Sequence, residues 1–228
     1  MNATHFTEYA NDLIAVLLVI AMITGYQMYL RRLARRNSAA VFSTAATLAR
    51  TAWVETVMGD HGDALLAVQT LRNTSMASSF LASTAILLMV GVLTLTGQAK
   101  SLQEAWHFLN VFGTLGPALW LTKLLCILLL LFYAFFNFIN SIRVTNHVGY
   151  MISIEQAPGR THFSHQMVAS QLNRGSRYFS LGVRAYYYLV PLIFWLFGPL
   201  YMVVATAILV FVLLPKIDKT PSQFVKGD

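Results

Sequence analysis

Four apolar stretches decide what this chain can become: Leu13–Leu30, Ser75–Leu95, Leu115–Ile139 and Leu189–Leu214. Each approaches or exceeds the roughly 20 residues that a helix needs to cross about 30 Å of hydrocarbon. Lipid offers no partner to backbone N–H and C=O groups, so such stretches must satisfy them internally, as helices. Charged residues make up 11% of the 228, against about 25% in soluble domains, too few to cover a water-facing surface. The expected fold is all-α: a polytopic membrane protein of four transmembrane helices, forming one domain over residues 1–228.

Charge placement sets the expected orientation. Glu8 and Asp12 precede the first stretch and "RRLARR" follows it. That order is the reverse of a cleavable signal peptide, so the segment is retained as an anchor. All eleven arginines fall in two segments, Arg31 to Arg72 and Arg143 to Arg184, whereas the five lysines lie elsewhere. Cationic residues near span ends favour the cytoplasm. A multi-pass protein of the inner membrane, with both termini on the non-cytoplasmic side, is expected. The net charge of +7 is thereby explained by topology, and nucleic acid is set aside as a partner. Cys126 is the only cysteine, so no intramolecular disulfide forms.

Between the apolar stretches, residues 38–58 predict an amphipathic cytoplasmic helix with Phe42, Ala46, Ala49, Trp53 and Val57 on one face. "GDHGD" breaks it, and Asp63 is a candidate N-cap. A helix from Ala64 to Thr96 is about 50 Å long, more than a bilayer requires, so its first turns extend into the cytoplasm. The third helix runs on toward Ile154 before "QAPGR", giving a second extension. The loop 97–114 carries Lys100, Glu104 and His107. Residues 164–184 predict another cytoplasmic helix, leading into a fourth span that Pro191 and Gly198–Pro199 bend and Pro215 ends.

Three blocks, "LAVQTLRNTSMASSFLASTAILL", "FNFINSIRVTNHVGYMISI" and "RGSRYFSLGVRAYYYLVPLIFWLFGPLYMV", resemble in order and spacing the bacterial and plant membrane proteins called domain of unknown function 599. The resemblance covers Arg50 to Leu214, with its specificity in the Leu-Arg-Asn and Trp-x-Phe-Gly-Pro elements. It implies a four-span helical protein and supplies neither an activity nor catalytic residues.

The residues themselves give no catalytic motif. "HFSH" places His162 and His165 three apart with His147 nearby, but without cysteine or carboxylate partners at ligand spacing. No histidine stands inside an apolar stretch to ligate haem. No nucleophile elbow, zinc-protease helix or phosphate-binding glycine loop occurs. No metal, cofactor or catalytic residue is expected.

Two constellations remain, each with two readings. Arg31 and Arg32, Arg72, Arg143 and Arg184 put guanidinium groups at the inner ends of all four spans. This is the signature of topology and snorkelling, or else a cluster for an anion or anionic lipid head group, with Arg72, Asn73, Asn140, Arg143 and Arg184 as its residues. Ser75, Ser78, Ser79, Ala82 and Ser83 share one face, and Tyr133, Asn137, Asn140 and Ser141 another. These are packing surfaces, or else the polar lining of a vestibule, marked by Ser75, Ser79, Tyr133 and Asn137. Lys123 reads as a snorkelling side chain.

The leading expectation is a non-enzymatic transport- or channel-like protein with an arginine-rich cytoplasmic vestibule. Its rival is an accessory or scaffold subunit of a larger membrane complex. Membrane lipids are the expected partners, with a homo-oligomer or larger complex as the assembly.

Overall fold

The computed structural model describes residues 3–36, 41–59, 64–97, 117–153, 163–216 and Asp218. All regular elements among them are helices: α1 (Ala3–Arg36), α2 (Phe42–Gly59), α3 (Ala64–Gly97), α4 (Pro117–Ser153), α5 (His165–Phe197) and α6 (Pro199–Lys216). Four contain segments long and apolar enough to cross a membrane: Ala10–Arg36, Leu65–Gly97, Ala118–Ile152 and His165–Phe197. The protein is therefore an all-α polytopic membrane protein, as its hydropathy requires. Asp63, residues 98–116 with Lys100, Glu104 and His107 of the expected loop, the "QAPGR" stop and His162 lie outside the described residues.

The two long helices have the expected length. α3 begins at Ala64 and α4 continues to Ser153, because nothing in either sequence breaks the backbone ladder. The helix expected at 164–184 is continuous with the following apolar segment through Pro191. Contacts divide the chain into two compact units, and α3, α4 and α5 contribute residues to both. Unit 1 holds Met1–Phe42, Leu87–Phe132 and Ala185–Asp228; unit 2 holds Ser43–Ile86 and Tyr133–Arg184.

In unit 1, the end of the chain departs from the single bent span expected over Leu189–Leu214. Gly198 breaks the helix at φ 146°, a conformation that suits glycine because it carries no Cβ. On either side, Trp195 and Met202 pack with Ala15 and Val19 of α1. Farther out, Tyr187 on one limb and Leu209 and Val210 on the other all pack against Tyr26 and Leu30. A continuous helix would separate positions 187 and 210 by about 34 Å, whereas Tyr26 and Leu30 are one turn apart. The segment is therefore a helical hairpin whose tip is Gly198. Its second limb returns toward the arginine end of α1: the Phe42 N–H donates to the Asp218 carbonyl at 3.1 Å, and the Tyr26 hydroxyl donates to the Asp218 carboxylate.

Unit 2 is built on close approach. Val54 and Val57 of α2, Ala67 and Leu71 of α3, Val148 and Ile152 of α4, and Val168, Ala169 and Leu172 of α5 form its apolar cluster. The buried face of α2 thus centres on Val54 and Val57, with Phe42 57% exposed, rather than on the whole Phe42–Val57 stripe. Gly175 and Gly182, seven residues apart on one face of α5, meet Thr145 and Phe138, also seven apart, on α4. A Cβ at Gly182 would stand 2.6 Å from the Phe138 ring, and one at Gly175 3.1 Å from Thr145 Oγ1. Small residues let membrane helices approach this closely.

Candidate functional site

The most unusual chemistry of unit 1 lies at the hairpin tip. α1 carries Asp12 at the start of its apolar run, α4 carries Lys123 in its second turn, and α5 carries Trp195 just before the break. Asp12 is 3% exposed and Lys123 2%. Lys123 Nζ lies 3.3 Å from Asp12 Oδ1. It also donates to the Trp195 carbonyl at 3.0 Å and stands 5.3 Å from the centre of the indole. The Trp195 indole N–H donates to the same Asp12 oxygen at 2.6 Å.

The sequence at the tip explains why that carbonyl is available. In an uninterrupted helix the Trp195 C=O would accept from residue 199, but Pro199 has no N–H. The Gly198 N–H takes a tighter bond to it at 3.2 Å, and Lys123 supplies the second donor. One residue therefore grips both charges, Asp12 through its indole N–H and Lys123 through its carbonyl and ring face. A further atom is left over: Asp12 Oδ2 is buried with no hydrogen-bond partner. A desolvated acceptor without a donor is costly, so this oxygen is where the cluster can accept a further donor. Cys126, one turn beyond Lys123, borders the same apolar packing.

Sequence reasoning missed this site. Asp12 served only as a flanking charge and Trp195 as one letter of a motif. Lys123 is corrected from snorkelling to buried, because the Asp12 carboxylate and the Trp195 carbonyl receive it inside the fold. The available signal was a lysine within an apolar span, which by itself marks a functional position.

The residues expected to form an arginine cluster all belong to unit 2. Arg72, Asn73 and Arg143 are exposed, and Arg184 and Asn140 are intermediate. The Asn140 amide donates to the Phe136 carbonyl of its own helix at 2.9 Å. Ser75 donates to Asn146 Oδ1 at 3.1 Å, Ser78 lies 3.5 Å from Ser141, and Leu71 faces Gly149. This antiparallel register sets Arg72 opposite Val148, roughly five residues or about 7 Å from the level of Arg143. Of the expected polar lining, Ser79 is exposed and donates to the Ser75 carbonyl, Tyr133 is exposed, and buried Asn137 donates to the Tyr133 carbonyl at 2.7 Å. Ser78, Ala82 and Ala85 are the buried members of the α3 stripe. Small buried residues of this kind let membrane helices approach closely.

The family described as protein of unknown function, DUF599, matches residues 14–220. The matched span includes Lys123 and Trp195 and begins two residues after Asp12. No curated protein matches the chain, and no solved structure does.

Proposed function

Because the chain belongs to the DUF599 family, whose function is unknown, its activity must be argued from its own residues, and we propose that it is a non-enzymatic membrane transport protein whose proton-responsive element is the Asp12–Lys123–Trp195 cluster. The observation that carries this reading is the buried carboxylate oxygen without a donor, beside a buried lysine, at the tip of a broken helix. Ionisable groups held within membrane segments are expensive and mark ion and proton paths. Interrupted helices recur where transporters bind their ions.

The chemistry follows from charge balance. With Asp12 ionised and Lys123 protonated, the pair is neutral and Trp195 closes over it. A proton arriving at Oδ2 discharges the carboxylate and leaves the lysine ammonium uncompensated, at a cost of several kcal/mol. Releasing the Trp195 carbonyl and opening the tip to water relieves that cost. The hairpin is the moving part, and the proton is its trigger.

In this reading the arginine ends of the spans face the cytoplasm of an inner-membrane protein, touching anionic lipid. Since the second hairpin limb returns to the arginine end, the N-terminus is outside and the C-terminus inside. A reporter active only outside the cytoplasm should work ahead of α1 and fail after Lys226; activity at both positions would refute the hairpin topology. Function is tested in vesicles enclosing a pH-sensitive dye. Wild-type protein should dissipate an imposed pH gradient, and Asp12→Asn should not. Equal dissipation by the two proteins would sink the reading.

A further inference from the structure

A half-buried cation, Arg50, lies in unit 2, far in sequence from the cluster at the tip. Arg50 of α2 donates through Nε to Asn173 Oδ1 at 2.9 Å and through Nη2 to Thr47 Oγ1 at 3.2 Å. The Asn173 amide donates to Thr51 Oγ1 at 3.3 Å. The two threonine hydroxyls give their protons to helix carbonyls, Thr47 to Ser43 and Thr51 to Thr47.

The bonds therefore form a directed circuit in which the threonine and asparagine groups are committed and the guanidinium is fixed. Arginine carries five N–H donors, and two are used here. Three remain, on a group that burial pushes below its ordinary pKa yet that stays charged. Its partners among the described residues are neutral, so none of these residues supplies a counter-ion. By helical spacing Arg177, four residues beyond Asn173 and exposed, lies along the same edge of α5. Arg174 instead faces the Tyr178 ring at 5.8 Å.

We infer that Arg50, held by Thr47 and Asn173 with Arg177 beside it, anchors a binding site for a phosphate-class oxyanion. The acceptor-only oxygens of a phosphate match the uncommitted guanidinium edge, and a fixed fork binds them with little further ordering. Arg50 lies between the first two apolar stretches, so the phosphate can belong to a lipid head group or be free in solution.

The test uses the full chain in bilayer discs. Inorganic phosphate is titrated into discs of zwitterionic lipid, and retention of phosphatidic acid is measured in mixed discs. Arg50→Gln should weaken the binding by about tenfold or more, the loss expected for hydrogen bonds to a charged group, and Arg72→Gln should not. Binding of inorganic phosphate that Arg50→Gln abolishes identifies a soluble ligand; loss of phosphatidic acid retention alone identifies a head group. Asn173→Asp separates this role from a purely structural one, because it places a carboxylate against Arg50 inside the fold. It should leave the melting temperature unchanged or raised while abolishing binding of both probes. Wild-type affinity in Arg50→Gln or in Asn173→Asp, or no binding of either probe to the wild type, overturns the inference.

Discussion

Lys123 and Arg50 are cations drawn out of water in different units, and they are neutralised in opposite ways. Lys123 has an acid, a carbonyl and an aromatic face around it, so its charge is answered within unit 1. Arg50 has a hydroxyl and an amide oxygen, so its geometry is answered within unit 2 and its charge, among the described residues, is not. The contrast separates two uses of a buried cation. A closed pair resists disturbance until one partner changes its proton count, whereas an open one waits for a partner from outside.

The comparison is most exposed to substitution at Lys123. Lys123→Met strands Asp12 as a lone buried carboxylate and should cost about 3–5 kcal/mol. The double change Asp12→Asn with Lys123→Met should recover most of that in thermal unfolding. Arg50→Met removes a cation that has no ionic partner and strands only neutral groups, so its expected cost is about 1–2 kcal/mol. Equal losses for Lys123→Met and Arg50→Met would erase the distinction between closed and open cations.

Packing gives the next effect. Gly182→Ala drives a methyl group into the fully buried Phe138 ring and should destabilise unit 2 by about 1–3 kcal/mol. Adding Phe138→Leu should recover part of the loss. If Gly182→Ala unfolds at the wild-type temperature, close approach is not what holds α5 to α4.

Asp218 supplies the smallest and slowest-varying signal. Burial pushes its carboxyl above the ordinary 3.8, so the folded state favours the protonated form. Its stabilising contribution is full below pH 3.8 and is lost as pH rises through the elevated folded value. Proteolysis of the C-terminal limb should therefore slow as pH falls across that window, with a protease active throughout it. Asp218→Asn should flatten the dependence, and an unchanged pH profile in that variant would assign the effect elsewhere.

Much of the fold was legible because hydropathy and unbroken ladders are local properties. The apolar stretches, the start of α3 at Ala64 and the long run of α4 follow from residues read in order. The hairpin was not legible, because an apolar run from Leu189 to Leu214 has the same hydropathy whether it continues or reverses. Gly198 and Pro199 announced a break without announcing its angle. The candidate site was hidden for another reason. Asp12, Lys123 and Trp195 come from three helices, and no spacing in the chain encodes their meeting. The Arg50–Asn173 bond joins positions 123 residues apart and was equally invisible. Serines and arginines at helical spacing point to α3, but spacing along one helix could not reveal that Ser78 faces Ser141 while Arg72 falls at the level of Val148.

The Asp12–Lys123 pair has an electrical property that follows from its neutrality. A voltage across the bilayer acts on net charge, and opposite charges 3.3 Å apart present it with only a short dipole. Resting protein should therefore ignore the membrane potential at this position. In the proposed reading, a proton on Asp12 leaves a single positive charge for the field to act on, with at most about 2.3 kcal/mol per 100 mV for a complete crossing. Voltage would then bias the hairpin in its protonated state alone, so the proton decides whether the membrane potential is felt at all.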